Sequence, residues 1–508
     1  MPFLPWTRSV RCRCHPATGF TDRPEPGNLA SRRDNHQLKA ERMTSIIEGY
    51  ASKESPLFQD MLANDAGPLS AAIQARGNYR PSIDEIPFST YTDRAYAARE
   101  MAHVWGKTWQ YACREEDIPE VGDRIPYDVG PLSFIIIRTA EEEFKAFYNA
   151  CLHRGTRLCS ASEGGDEIKC PFHGWRWRID GKLKRVPSKW DFPGVDDSYA
   201  LPEIPIGRWG GCLFVNPDPN AGPLEDALGV LVDHFAHFDL AKRFTLVRTA
   251  KKIRANWKTV WAAFLEAYHV EETHFDAMEF TGDANTQYDA FQSAGAIISR
   301  LITPAAVPSP LLRDRVSARD AAVVAVRSFA AAFGPDAPVA PPNHAEMAQF
   351  GRREVAAWRR ESMGAMMDAD FSHLCDAEMI DSIQYAMFPN FGPWLGEGLP
   401  LLYQFLPLGD NPDESLFTVR LMAPIPENAP RPPCPSLTSL GFDDCFDSLP
   451  EWGRIAHVFD QDMANLPNIQ RGMHSAAASR SQLTLGRYQE QRIALMHEFV
   501  EGCLAGQE

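Results

Sequence analysis

CLHRGTRLC (Cys151–Cys159) and CPFHGWRW (Cys170–Trp177) are the two stretches on which the fold of this chain turns. Each offers one thiol and one imidazole: Cys151 with His153 as C-x-H, then, after sixteen intervening residues, Cys170 with His173 as C-x-x-H. Thiolates suit iron-sulfur chemistry, and two His in place of two Cys on one iron raise the reduction potential. A structural zinc site with two Cys and two His is the competing reading. Such sites usually take both sulfurs from one C-x2-4-C and both nitrogens from one H-x3-5-H. One sulfur and one nitrogen per stretch instead suits two irons, Cys151 and Cys170 holding one, His153 and His173 the other.

Around these stretches, residues 122–217 read as short strands separated by turns, and Asp180-Gly181 between two alternating runs predicts a hairpin. NPDPNAGP (Asn216–Pro223) reads as a linker, which puts a boundary near residue 220. Upstream, Met101, Val104, Trp105 and Trp109 space like an apolar helix face. Downstream, strand-like runs such as Leu401–Gly409 alternate with helix-like ones such as Trp257–His274 and Glu451–Pro467. The predicted class is α+β: a small all-β domain and a larger domain with an antiparallel sheet flanked by helices. Residues 296–370, rich in Ala and Pro, are expected to be an insertion covering a pocket.

With 44% hydrophobic and 23% charged residues the composition is that of an ordinary globular protein. A formal charge of -16 argues against nucleic acid as a partner, and no apolar run is long enough to span a membrane. Eleven cysteines in 508 residues are too sparse for a disulfide scaffold, so a reducing cytoplasm is expected. Residues 1–42 carry eight Lys or Arg against four acids without apolar periodicity. They are expected to be a disordered or mis-assigned extension, with a transit peptide as the alternative and Met43 as another start.

A second constellation lies in NWKTVWAAFLEAYHVEETH (Asn256–His274), which holds Glu266, His269 and His274 on an expected helix. His269 and His274 are five apart and would diverge by about 140° on an ideal helix, so the helix must end or bulge between them if one metal takes both. Two His and one carboxylate leave open positions on Fe(II) for O2 and substrate. The carboxylate is expected from HVFDQDMANLP, Asp462 first and Asp460 as the fallback, with Pro467 loosening the helix beside Met463.

With both sets in view, residues 127–215 resemble the Rieske [2Fe-2S] domain, Arg154, Gly155, Gly174 and Trp175 included. Residues 86–498 resemble the large (alpha) oxygenase subunit of Rieske non-haem iron aromatic-ring-hydroxylating dioxygenases. The resemblance implies residues 43–120 as a helical lead-in, 121–220 as the Rieske domain and 221–499 as the mononuclear iron domain. It implies a [2Fe-2S] cluster on Cys151, His153, Cys170 and His173, and one Fe(II) on His269, His274 and Asp462. Glu266 would be the acidic residue bridging to a cluster histidine, His173, of a neighbouring copy. The implied activity is hydroxylation or dihydroxylation of an aromatic or other hydrophobic substrate with O2, or, as the alternative, O- or N-demethylation. Electrons would come from NAD(P)H through a reductase, with or without a ferredoxin, and a homotrimer or a trimer with small beta subunits is implied. Glu at 266 in place of the common Asp, Ala262 where some members have Asn, and the 296–370 segment depart from the pattern. Phe264, Phe391 and Trp394 are candidate pocket walls.

Overall fold

The computed structural model describes residues 58–83, 85–293, 296–312, 315–333, 351–426 and 429–505. The expected extension 1–42 and the start of the lead-in lie outside them. The lead-in helix is α-helical over Arg94–Glu100, widens to a π-helical turn over Met101–Trp105, and stops at Gly106. Val104 and Trp105 are buried as the apolar face predicts, whereas Trp109 lies past the helix end and donates its indole N–H to the Gly222 carbonyl.

The β-rich region forms three small antiparallel sheets. One pairs Arg124–Val129, Leu132–Ala140, Glu143–Tyr148 and Glu203–Ile204; one pairs Gln110–Arg114, Cys212–Val215 and Ile206–Trp209; the third pairs Glu167–Lys169, Arg176–Arg178 and Leu183–Arg185. The apolar run Phe134–Ile137 is uninterrupted because both faces of its strand are buried. Phe134 and Ile136 pack toward the larger domain, while Ile135 and Ile137 pack beneath Cys151, Cys170, Trp175 and Trp177. Each such side chain contributes roughly 1.5–3 kcal/mol, so one strand fastens the cysteine-bearing loops to the rest of the molecule. The Asp180-Gly181 hairpin forms as expected, with Gly181 at φ +84° and the Arg178 N–H donating to the Lys182 carbonyl at 2.8 Å.

The larger domain is an eight-stranded sheet in the order Gln287–Ser293, Ala296–Thr303, Ser382–Met387, Phe391–Leu395, Leu401–Pro407, Ser415–Pro424, Arg243–Ile253, Thr438–Leu440. Every neighbouring pair is antiparallel except the last. One face, with Tyr403, Phe405 and Phe417, packs against helices Trp257–Ala263, Ile455–Ser475 and Gln491–Ala505; the other, with Ile383, Tyr385 and Leu402, packs against Leu224–Leu228 and Leu231–His234.

The segment expected as an insertion from residue 296 begins with a sheet strand instead. AIISRLIT (Ala296–Thr303) is hydrogen-bonded on both sides, because six of its residues are buried. Only after Thr303 does the chain leave the sheet, and helices Ala318–Phe333 and Arg352–Met367 then pack together over Met379 and Ile380. Among the described residues all nine cysteines are free, and no helix is long and apolar enough to cross a membrane.

Candidate metal centres

The two cysteine loops are built alike. In the first, the Gly155 N–H donates to the Cys151 carbonyl (2.8 Å) and the Cys151 N–H to the Thr156 carbonyl (2.9 Å). In the second, the Gly174 N–H donates to the Cys170 carbonyl (3.1 Å) and the Cys170 N–H to the Trp175 carbonyl (2.8 Å). Both loops close through a glycine in the left-handed region, Gly155 at φ +75° and Gly174 at φ +73°. Cys151 and Cys170 are buried side by side, and the His153 and His173 rings lie 4.6 Å apart, His153 stacked on Trp175. Burial opposes ionisation of both thiols and holds Cys151 up. At Cys170 the N–H groups of Phe172 and His173, with Cys151 and Thr156, outweigh burial and bring the thiol down.

Four donors around one zinc would stand about 3.5 Å apart, given bonds near 2.0–2.3 Å. Among the described residues, however, the one group of three or more His, Cys, Asp or Glu whose donor atoms meet within 4.8 Å is His269, His274 and Asp462. Cys151 and Cys170 interact directly and the His153 and His173 rings lie 4.6 Å apart, a thiol pair and an imidazole pair of the kind a two-iron cluster uses. His153 Nδ1 is buried without a hydrogen-bond partner, as a nitrogen kept for a metal would be. Cys159, fully buried, donates its thiol to the Ala161 carbonyl at 3.2 Å and stands apart from the four.

At the second centre the expected helix ends before either histidine. Asn256 caps its start by accepting the Lys258 N–H, and the helix closes at Ala263. The chain then runs irregularly to His269 and winds one further turn, Val270–Thr273, before His274. Partners from elsewhere hold the irregular stretch: the Leu265 carbonyl accepts from Arg492 at 3.2 Å, and the Ala267 N–H donates to the Tyr288 hydroxyl at 3.0 Å. Glu266 folds back on His269, one carboxylate oxygen accepting the backbone N–H (3.0 Å) and the other facing ring Nδ1 (2.7 Å).

Asp462 lies on the buried stripe of helix Ile455–Ser475 with Phe459 and Leu466. Its Oδ1 is 2.9 Å from His274 Nε2 and 3.5 Å from His269 Nε2. Each imidazole is held from behind, His269 Nδ1 by Glu266 and His274 Nδ1 by the Gln461 carbonyl oxygen at 2.8 Å. Oxygen acceptors behind each Nδ1 favour a proton there, which frees Nε2 on the Asp462 side to bind a metal once its own proton is displaced. Burial disfavours a charged His269, but Glu266 and then Asp462 raise it to about 9. This negative, one-sided set fits a divalent cation with open positions.

Asp460 is engaged elsewhere: it accepts the N–H groups of Phe446 and Asp447 at 2.8 and 2.9 Å. Phe264 and Phe391 lie among other aromatic rings of the core, and Trp394 packs on Tyr403. Gln461, Tyr288 and Arg492 were not legible as site residues, since nothing in the sequence brings them near His269 or His274.

Two family models match the chain: Rieske [2Fe-2S] domain over residues 108–196 and ring hydroxylating alpha subunit (catalytic domain) over residues 235–506. These domains imply the cluster and the mononuclear iron. Similar proteins include the glycine betaine monooxygenase oxygenase subunit of Pseudomonas aeruginosa (strain UCBPP-PA14), 29% identical over 41% of this chain and 49% of its own length. The carnitine monooxygenase oxygenase subunit of Escherichia coli (strain K12) is 31% identical over 37% and 52%. The anthranilate 1,2-dioxygenase large subunit of Acinetobacter baylyi is 29% identical over 42% and 48%. The chain thus spans about half the length of the curated relatives it matches. The fold is shared with the quaternary ammonium Rieske monooxygenase in complex with L-carnitine (TM-score 0.55, 17% identity, 82% of this chain and 95% of that one). It is also shared with naphthalene 1,2-dioxygenase from Rhodococcus sp. bound to indole (TM-score 0.53, 18%, 84% and 95%).

Proposed function

Since this chain belongs to the ring-hydroxylating alpha subunit family, we propose that it is a terminal oxygenase that uses O2 and external electrons to hydroxylate an aromatic or other hydrophobic substrate. The observation that carries the reading is the presence in one chain of two donor sets of different chemistry, a paired Cys and His set and a one-sided His, His, Asp set. Cys151, His153, Cys170 and His173 would hold the cluster, and His269, His274 and Asp462 the ferrous ion. When bound, the cluster supplies electrons and the ferrous ion supplies the place where O2 is activated.

The chain's own residues do the positioning. Glu266 and Gln461 fix the rings of His269 and His274, and Phe459, buried on the same helix as Asp462, packs on Tyr403, which packs on Phe264. In this proposal Glu266 would also bridge to a cluster histidine of a neighbouring copy, His173 being its counterpart. A ferredoxin or an NAD(P)H-dependent reductase as electron donor and a trimeric assembly, with or without small beta subunits, belong to the same proposal. Free cysteines throughout the described residues suit the cytoplasm.

The second reading is O- or N-demethylation, favoured by similarity to subunits named for glycine betaine and carnitine monooxygenases. Anaerobic purification with iron and sulfide counting, followed by turnover in 18O2 with a surrogate reductase, tests both. A diol carrying both labelled oxygens supports the first reading and formaldehyde release the second. Absence of acid-labile sulfide from reconstituted protein would overturn the oxygenase altogether.

A further inference from the structure

The sheet of Glu167–Lys169, Arg176–Arg178 and Leu183–Arg185 has two unlike faces. Ile168, Trp177 and Leu183 turn inward and pack with Cys151, Cys170 and Trp175. On the outer face the pairing sets Lys169 opposite Arg176 and Arg176 opposite Arg185, so three cations stand side by side across three strands. Arg178 lies on the same face, two residues from Arg176, and Lys184 is the extra residue of the bulge between Leu183 and Arg185. Of these five cations, Lys169, Arg178, Lys184 and Arg185 are exposed.

Only two acids answer them. Glu167 meets Arg176 at 2.6 Å and Lys184 at 3.0 Å, and Asp166 meets Lys184 at 3.3 Å. Lys169, Arg178 and Arg185 pair with no acid among the described residues. Like charges directly opposed on neighbouring strands are destabilising, and the chain as a whole carries the other sign, at -16. A row of this kind costs stability in the isolated protein and recovers it against a negative surface. Its place is also particular: Lys169 precedes Cys170, Arg176 follows Trp175, and the Cys170 N–H donates to the Trp175 carbonyl at 2.8 Å. The cations therefore stand one residue from a cysteine of the cluster set.

We propose that this face is where the electron donor docks, and that the donor is a small, acidic one-electron carrier of the ferredoxin type whose negative rim meets Lys169, Arg178 and Arg185. The inference deepens the oxygenase reading and rests on it. Clustered charge of one sign steers a complementary partner and raises its encounter rate. Docked here, the donor lies beside the loop that holds Cys170. One electron leaves the reduced donor and one is gained at the oxidised cluster of this chain; no bond forms or breaks.

The test uses the cluster-loaded full-length protein with a plant-type [2Fe-2S] ferredoxin as the acidic probe. Calorimetry with the oxidised probe reads binding, and rapid-freeze EPR, which tells the two reduced clusters apart, reads electron transfer from the reduced probe. Transfer runs downhill because two His ligands raise the potential of the receiving centre. Binding and transfer are expected at about 20 mM salt and should weaken at least about tenfold at about 300 mM, as the Debye length shrinks. Lys169→Glu combined with Arg185→Glu should lose at least about tenfold in both at low salt and become nearly insensitive to salt. Lys252→Glu combined with Arg454→Glu makes the same change in net charge at two exposed cations of the larger domain, and should behave as the wild type. Equal losses in the two double variants, salt-independent binding by the wild type, or no binding at low salt would overturn the docking face. So would a changed oligomer size in the Lys169 and Arg185 variant with ferredoxin binding retained, which would give the face to a second copy. Iron and sulfide content, with complete reduction by dithionite, report on the cluster of every preparation and so on the oxygenase reading separately.

Discussion

Asp460 and Asp462 stand two residues apart on one helix and meet different partners, which makes them a sharp pair to separate by substitution. Asp462 is 5% exposed and faces two Nε2 atoms, while Asp460 ties down the turn Phe446–Ser448. Asp462→Ala is expected to lose the mononuclear iron, one of about three per chain, and to keep the visible spectrum of the cluster. Asp460→Ala should retain that iron and cost about 1 kcal/mol through loss of a cap, read by chemical denaturation; equal iron contents in the two variants would refute the assignment. His269 supplies a pH dependence. Its folded value is raised from 6.5 to about 9, so the metal-free site is protonated across neutrality and a metal must displace that proton. Ferrous affinity should therefore climb from pH 6.5 to about 9 and then level off. In the metal-free protein the same pair contributes stability that is complete below pH 6.5 and fades as pH rises through about 9. Glu266→Gln should move both transitions to lower pH, and a flat affinity profile in the wild type would contradict the pairing.

Turns and helix ends decide how these residues reach their places. Gly181 and Gly155 both adopt positive φ, at +84° and +75°, but a Cβ at Gly181 would come within 2.5 Å of the buried Phe147 ring, whereas one at Gly155 would meet nothing within 4 Å. Gly155→Ala should cost only the left-handed penalty, about 1 kcal/mol, while Gly181→Ala adds overpacking for a total of about 2–4 kcal/mol. Thermal denaturation followed at the cluster absorbance checks the order, which would be reversed if loop strain outweighed packing. The hairpin and both cysteine loops were legible because local chemistry specifies them: an Asp-Gly turn and paired ligand spacings carry their own geometry. The break after Ala263 was not, because Tyr288 and Arg492, remote in sequence, satisfy the backbone that the helix gives up. The strand Ala296–Thr303 was hidden in the same way, its Ala-rich surroundings resembling an insertion until its partners on both sides are known. In the sequence, Pro467 and the family resemblance favour Asp462 over Asp460, because the apolar neighbours in sequence flank both carboxylates.

Across the whole molecule, one strand fastens the cluster loops to the larger domain, yet those loops turn an apolar edge outward. Phe172 is 58% exposed with Arg154 over its ring, and Leu152 is 39% exposed. His173 is exposed beside them, and at the second centre the His269 side chain keeps 25% of its surface open. Clustered exposed apolar side chains of this kind suit coverage by another chain, and the proposed trimer would use them to bring one copy's His173 to another copy's Glu266. Subunit mixing decides the matter. A His173→Ala chain lacks a working cluster and a His269→Ala chain lacks a working iron, so homomers of either are expected to be inactive. If electrons pass between copies, a mixed assembly contains intact cluster-to-iron pairs drawn from different chains, and oxygenation should return. If they pass only within a chain, every chain in the mixture still misses one centre and activity stays at zero. Two differently tagged variants, co-assembled, purified through both tags and shown by size to be mixed oligomers, should therefore regain turnover with a surrogate reductase. Silence from such oligomers, with both metal contents as designed, would rule out transfer across the interface.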